Sequence, residues 1–146
     1  MHYYFAYGSN LDEAQMKTRC PDYVFIGKAV LKDYQIAFTT YSKKRECGCA
    51  DIMPMKGQDV WGVVYVLSGK DLDALDKSEG SNYRRIEVTV IDEKGEGRKV
   101  LVYVVINKRF DLKPSKGYLG LIIGGAKEFD FPTDYTDRLT KELTLD

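Results

Sequence analysis

The chain has 146 residues, of which 44% are hydrophobic and 30% are charged, and 22 lysines and arginines balance 22 aspartates and glutamates. This length fits a single domain spanning residues 1–146, and the neutral balance argues against a general polyanion binder, so we expect no nucleic-acid partner. No apolar run reaches the roughly 20 residues needed to cross a bilayer, and the N-terminus lacks a charged region followed by an apolar one, so we expect a cytoplasmic protein without a membrane partner.

The rare residue types exclude most common catalytic sites. His2 is the only histidine, which excludes a Ser/His/Asp triad, a Cys/His pair and a multi-histidine metal site. The three cysteines, Cys20, Cys47 and Cys49, are odd in number and lack CxxC spacing, so we expect free thiols rather than a disulfide framework. One interpretation of Cys47 and Cys49 is a soft-metal site. We favour the alternative, in which they are small residues at a strand edge.

The first third of the chain predicts a strand, a helix and a long strand. His2 to Tyr7 is aromatic and predicts a buried strand that stops at Gly8-Ser9-Asn10. Leu11 to Arg19 lacks glycine and proline, and its acidic first turn and basic last turn favour a helix. Phe25 to Thr40 predicts one long strand or a bent pair of strands, followed by a polar turn at 42–46.

The middle of the chain predicts a buried strand, a short helix and a hairpin. Val60 to Leu67 is continuously apolar, which is typical of a strand buried on both faces. Ser68 is positioned to cap a helix that ends at Gly80. Tyr83 to Ile91 and Lys99 to Ile106 alternate in polarity around a glycine-containing turn, and they predict an antiparallel hairpin.

The last third predicts two helices, from apolar residues at helical spacing between Tyr118 and Ala126 and between Tyr135 and Leu143. Pro132 suits the start of the second helix. The whole order has too few alternating strand-helix units for a doubly wound sheet. We therefore expect an α+β domain whose mostly antiparallel or mixed sheet closes into a partial barrel with flanking helices.

Two local features suggest chemistry. At Tyr7 to Leu11 a strand runs into a helix through a glycine turn, where unpaired N–H groups can hold a carboxylate or an oxyanion; an ordinary turn capped by Ser9 or Asn10 is the alternative. Glu79 precedes Gly80 at a helix end, where the dipole raises the pKa of a carboxyl and favours a general acid/base. Asp76 lies on the same last turn, so the same argument applies to its carboxyl. The alternative interpretation of Glu79 is a surface glutamate whose side chain points into water.

Five segments together resemble the gamma-glutamylcyclotransferase family, which includes the AIG2-like proteins. They are FAYGSNL (5–11), VWGVVYVLS (60–68), LDALDKSEG (72–80), Tyr83 followed by IEVTV, and PSKGYLGLIIGGAKEFDFPTDY (114–135). The resemblance covers nearly the whole chain in the right order. Residues 41–50 depart from it, at a loop that varies within the family.

The resemblance implies an enzyme that converts a gamma-glutamyl amine or amino acid to 5-oxoproline and a free amine, without a metal or cofactor. It implies Glu79 as the catalytic residue, and as substrate-binding residues Tyr7, Gly8, Ser9, Asn10, Leu11, Tyr83 and Tyr118. The identity of the leaving amine stays open: a gamma-glutamylamine or a protected biosynthetic intermediate would use the same site. A non-catalytic small-molecule binding protein of the same fold is a further alternative, and we expect a monomer or homodimer.

Overall fold

The computed structural model describes all 146 residues. Five strands alternate irregularly with four α-helices. In chain order they are β1 (His2–Ala6), α1 (Glu13–Arg19), β2 (Val24–Ser42), β3 (Cys47–Leu67), α2 (Gly69–Glu79), β4 (Tyr83–Asp92), β5 (Gly97–Val105), α3 (Lys116–Glu128) and α4 (Thr133–Thr140). None of these helices has the length and apolar character needed to cross a bilayer.

The strands form a closed barrel in the order β1-β3-β2-β4-β5. Every pairing is antiparallel except the one between β1 and β5, which is parallel and places Tyr4 opposite Leu101. The predicted α+β class is confirmed, and the barrel closes fully. Closure pairs the strand edges that an open sheet would expose to other chains.

Strands β2 and β3 form one long, bent hairpin. Their register shifts after Lys32, next to Asp33 and Gly57, both of which have positive φ, and this irregularity bends the hairpin. The prediction for 25–40 is confirmed as one strand, and Val60–Leu67 is the end of the longer β3. The predicted turn at 42–46 is confirmed at residues 43–46, and the rest of the 41–50 segment is paired strand rather than loop, with Ser42 opposite Cys47.

The turn after β1 is tied to α3. A short 3-10 turn at Ser9–Leu11 comes first, and α1 begins two residues later than predicted because Asp12 caps it, accepting from Gln15 N at 3.1 Å. Leu11 is fully buried. A Cβ added to Gly125 of α3 would run into the Leu11 side chain and lie 3.0 Å from its carbonyl oxygen. The helix therefore packs directly against the turn.

The remaining helices follow the predicted pattern. Ser68 caps α2, accepting from Asp71 N at 3.1 Å, and Leu75 is buried on the inner face of that helix. Pro132 precedes the first residue of α4. Because α4 ends at Thr140, Leu143 lies beyond it and is exposed rather than on the helical stripe.

Candidate active site

One small cavity brings together seven of the eight predicted site residues. Its volume is about 30 Å³, and its lining consists of Tyr4, Tyr7, Gly8, Ser9, Asn10, Ala50, Glu79, Tyr83, Tyr103 and Tyr118. Leu11 is the exception, since its side chain points into the core. A larger cleft of about 500 Å³ lies beside the cavity and shares four of its residues: Ser9, Glu79, Tyr83 and Tyr118.

Four elements deliver the predicted side chains to this place. The end of β1 carries Tyr7 into the turn, and the last residue of α2 is Glu79. Tyr83 is the first residue of β4, and Tyr118 lies in the first turn of α3. Each of these side chains therefore lies at or next to the end of a strand or helix, and these ends meet at one end of the barrel.

Glu79 has an unusually high affinity for a proton. The residue is partly open to the cleft, but its surroundings bury the carboxyl, and this burial raises the pKa of Glu79 from 4.5 to about 7. The positive charges of Arg19 and Arg45 oppose this rise, and Asp76 adds to it. The direction agrees with the helix-end prediction, but the main cause is burial, which local sequence does not reveal.

Asp76, the other carboxylate considered as general acid/base, is already bonded to two side chains. Its Oδ1 lies 3.0 Å from Arg85 Nε and accepts a hydrogen bond from the Tyr103 hydroxyl at 2.5 Å. Glu79 has no ion-pair partner within 4.0 Å and no hydrogen-bond partner in the protein. Of the two carboxylates at this helix end, only Glu79 lines the cavity with its oxygens uncommitted.

Besides Tyr103, two tyrosine hydroxyls of the cavity are committed as donors. The Tyr7 hydroxyl donates to the Tyr103 carbonyl at 2.7 Å, and the Tyr83 hydroxyl donates to the Ala50 carbonyl at 2.6 Å. Burial raises the pKa of both phenols, so both stay neutral. These bonds fix the walls of the cavity by tying β1 to β5 and β4 to β3.

Two further hydroxyls act as acceptors and keep their protons available. Tyr4 accepts from Asn10 Nδ2 at 3.0 Å, and Tyr118 accepts from the Ala50 backbone N–H at 2.9 Å. Burial raises the pKa of both hydroxyls as well. Since a neutral phenol carries one donor hydrogen, each can donate to a ligand in the cavity.

The turn also presents free donors. The first turn bonds run from Leu11 N to the Gly8 carbonyl and from Asp12 N to the Ser9 carbonyl, each at 3.0 Å, and the N–H groups of Gly8, Ser9 and Asn10 donate to no protein group. Neither Ser9 nor Asn10 caps a helix, so the ordinary capped turn is not what forms. Consecutive free N–H groups of this kind suit a carboxylate or an oxyanion.

Sequence reasoning assigned no role at the site to Tyr4, Arg19, Arg45, Ala50 and Tyr103, which the structure brings to the cavity or the cleft. Tyr4 shares its strand with Tyr7, but the alternation of β1 does not show that both rings reach one cavity. Tyr103 arrives only through the pairing of β1 with β5. Arg45 reaches the cleft because 41–50 folds as the end of a hairpin.

The three cysteines are free, as predicted, and all three are buried. Cys49 lines the cleft, and burial raises the pKa of its thiol to about 12, so the thiol stays protonated at neutral pH. No group of three or more histidine, cysteine, aspartate or glutamate side chains is arranged to hold a metal ion.

Comparison with known proteins identifies the family. The model of the AIG2-like family matches residues 59–139, which include Glu79, Tyr83 and Tyr118. A gamma-glutamylcyclotransferase of Bos taurus is 37% identical over 143 residues, covering 93% of this chain and 76% of the relative. The chain belongs to the AIG2-like family of gamma-glutamylcyclotransferases.

Other members of the family agree in sequence and in fold. The Homo sapiens gamma-glutamylcyclotransferase is 34% identical over 143 residues, with the same coverage of both chains. A solved structure described as gamma-glutamyl cyclotransferase superposes with a TM-score of 0.94 at 32% identity, over 99% of this chain and 89% of that one. The resemblance inferred from the five sequence segments and the expected fold are both confirmed.

Proposed function

We propose that this protein is a gamma-glutamylcyclotransferase that converts a gamma-glutamyl amine or amino acid to 5-oxoproline and a free amine, with Glu79 as general acid/base. The observation that carries the proposal is the position of Glu79. Its carboxyl lines the same small cavity as the turn whose N–H groups are free, and its pKa of about 7 lies near physiological pH. A general acid/base works best with a pKa near the operating pH. The relatives named gamma-glutamylcyclotransferase support the reaction class.

The substrate supplies its own nucleophile. Its α-amino nitrogen attacks the γ-carbonyl carbon and forms a new C–N bond, and the C–N bond to the leaving amine then breaks. The products are a five-membered lactam and the amine, so the reaction consumes no water and needs no covalent enzyme intermediate. Holding the substrate curled in the reactive geometry contributes roughly 7–11 kcal/mol in well-oriented intramolecular reactions.

Glu79 handles both proton transfers. An α-ammonium group has a reference pKa of about 8, so a carboxylate of ordinary pKa 4.5 would be a poor base for it. Because burial raises the pKa of Glu79 to about 7, its carboxylate is a much better base for the ammonium group. The attacking nitrogen loses two protons, one when the ammonium becomes a free amine and one as the new C–N bond forms. Glu79 takes each proton in turn and passes it to the leaving nitrogen, which departs as an ammonium ion, so the carboxylate returns to its starting state.

The free donors of the cavity bind the negative charges of the reaction. The N–H groups of Gly8, Ser9 and Asn10 and the hydroxyls of Tyr4 and Tyr118 suit the substrate α-carboxylate in the ground state or the tetrahedral oxyanion in the transition state. Because the phenols stay neutral, they donate without adding a repelling charge. Gly8 keeps this space open, since a Cβ there would lie 3.3 Å from Ala50 Cβ.

The cysteines support a cytoplasmic location as part of the proposal. All three are free and buried, which suits a reducing compartment where disulfides are rare.

A panel of gamma-glutamyl amides tests the function. Purified protein is incubated with gamma-glutamyl-L-alanine, gamma-glutamyl-ε-lysine and gamma-glutamyl-ethylamide, and products are quantified by mass spectrometry. We expect 5-oxoproline and free amine in equal amounts from at least one of them. The α-linked dipeptide α-glutamyl-alanine is the control, because its α-amino group cannot form a five-membered lactam with release of alanine. Release of glutamate would indicate hydrolysis instead, and failure on every substrate would favour the non-catalytic alternative.

A further inference from the structure

Two arginines beside Glu79 lack a carboxylate partner. Arg19 Nη1 donates to Asn10 Oδ1 at 3.1 Å, and Arg45 Nη2 donates to Gln15 Oε1 at 2.6 Å. Both acceptors are neutral amides, and neither arginine takes part in any of the five ion pairs of the protein. Their positive charges are therefore not compensated by an acidic side chain within bonding distance.

These charges face the cleft and not the small cavity. Arg19, Lys43 and Arg45 line the cleft, in which Glu79 is the single acidic residue. None of the three cations lines the small cavity. The cleft is therefore positively charged, and an anionic group bound in it gains favourable electrostatic energy.

Arg45 is held in place before any ligand arrives. Its guanidinium carbon lies 5.0 Å from the centre of the Tyr118 ring, and Gln15, which accepts from it, is fixed by donating to Ser9 Oγ at 2.8 Å and to Asn10 Oδ1 at 2.9 Å. Its backbone N–H donates to Ser42 Oγ at 3.1 Å. A guanidinium fixed in this way presents a planar fork of donors that matches a carboxylate.

We propose that Arg45 determines specificity by binding a carboxylate on the leaving amine, so that gamma-glutamyl amino acids and peptides are preferred over gamma-glutamyl amines that lack this group. The inference rests on the proposed function. The free N–H groups and hydroxyls of the small cavity bind a carboxylate or an oxyanion of the gamma-glutamyl end where the cavity meets the cleft, and the leaving group extends past Glu79 into the cleft. A leaving group without a carboxylate leaves the Arg45 charge unpaired.

Two substrates that differ at one group test the role of Arg45. They are gamma-glutamyl-L-alanine and gamma-glutamyl-L-alaninamide, which lacks the carboxylate on the leaving side. The measured quantity is the ratio of kcat/KM for the first to kcat/KM for the second. Any effect of Arg45 on Glu79, or on the α-carboxylate of the gamma-glutamyl group, is common to both substrates and cancels in this ratio.

We expect the wild-type ratio to be well above one and Arg45→Met to lower it by about 10- to 100-fold, the usual range for loss of a hydrogen bond to a charged group. Arg45→Lys keeps the charge without the planar fork and should give an intermediate ratio. Lys44→Met is the matched control: it removes one positive charge next to Arg45, but Lys44 is exposed and does not line the cleft. Its ratio should stay at the wild-type value.

Several outcomes would overturn this assignment. Arg45 does not bind the carboxylate of the leaving group if the wild-type ratio is near one or if Arg45→Met leaves the ratio unchanged. The same holds if Arg45→Met lowers kcat/KM equally for both substrates. The dissociation constants of the same two substrates are also measured by calorimetry, in Glu79→Gln and in the double variant Glu79→Gln with Arg45→Met, and their ratio is compared between the two proteins. Because that comparison needs no turnover, it separates failure of the Arg45 assignment from failure of the proposed reaction.

Discussion

Asp76 and Glu79 lie three residues apart on the last turn of α2, and only Asp76 is paired. Asp76 bonds to Arg85 and to the Tyr103 hydroxyl, which ties the end of α2 to β4 and β5. Glu79 faces the cavity without an ion-pair partner. The paired carboxylate thus anchors the helix end that holds the unpaired one beside the turn after β1.

The pH dependence of catalysis follows from the pKa of Glu79. The base form is the carboxylate, so kcat/KM should rise as the pH increases through about 7, the pKa to which burial raises this group. If the substrate binds as its ammonium form, kcat/KM should fall again above about pH 8, the reference pKa of an α-amino group. The measurement is a rate profile from pH 5 to 10. An acidic limb near pH 4.5 would contradict the raised pKa of Glu79.

The same pKa makes stability depend on pH. The folded-state pKa of Glu79 is about 7 and the ordinary value is 4.5, so between these values the folded protein binds more protons than the unfolded chain. The stability that Glu79 contributes is therefore fully present below about pH 4.5 and is lost as the pH rises through 7. Relative to Glu79→Gln, wild-type protein should lose on the order of 3 kcal/mol between pH 4.5 and 8. Urea unfolding of both proteins measures this difference, and a pH-independent difference would refute it.

Adjacent glycines of α3 should respond oppositely to alanine. At Gly125 an added Cβ would overlap the Leu11 side chain, so Gly125→Ala should destabilise the protein by about 1–3 kcal/mol and lower activity by moving the turn. Gly124 faces open space, so Gly124→Ala should stabilise the helix by roughly 0.5–1 kcal/mol. Urea unfolding of the two variants gives the comparison. Equal stability of both would show that α3 does not pack tightly on the turn.

An ion pair with a fully buried aspartate supports the cavity wall that contains Ala50. Asp51 is fully buried and accepts from Lys108 Nζ at 2.6 Å, from Thr39 Oγ1 at 2.8 Å and from Val105 N at 3.0 Å. It directly follows Ala50, whose backbone bonds to two site tyrosines. Asp51→Asn should cost roughly 2–3 kcal/mol, because Lys108 loses its partner.

The control for this prediction is an exposed pair. Lys32 and Asp59 lie 3.4 Å apart with side chains 61% and 32% exposed, so Asp59→Asn should change stability by less than about 1 kcal/mol. Adding Lys108→Met to Asp51→Asn should recover part of the loss, since no unpaired charge is then left. Equal effects of Asp51→Asn and Asp59→Asn in denaturant unfolding would contradict a structural role for the buried pair.

Local sequence signals were enough to predict much of the fold. The aromatic strand β1, the Ser68 cap and the alternating hairpin of β4 and β5 each depend on neighbouring residues, and they form as expected. The position of Glu79 at the end of α2 follows from Gly80 in the same way.

Other features depend on distant contacts and were not predictable from the sequence. Tyr103 reaches the cavity because β1 and β5 pair and close the barrel. Ala50 reaches it because β3 begins thirteen residues before the apolar run at Val60. Burial of Glu79 arises from walls contributed by β1 and the turn after it, β3, β4, β5 and α3. The helix-end argument therefore predicted the direction of its pKa shift without its main cause.

The most direct test of the account is Glu79→Gln. Glutamine keeps the shape of the side chain but cannot accept and return a proton, so 5-oxoproline formation under single-turnover conditions should fall by about 10²- to 10⁴-fold, while the dissociation constant for gamma-glutamyl-L-alanine changes little. Asp73→Asn, on the exposed face of the same helix, is the matched control and should react at the wild-type rate. A Glu79→Gln protein that forms 5-oxoproline at the wild-type rate would contradict the assignment of Glu79 as the general acid/base.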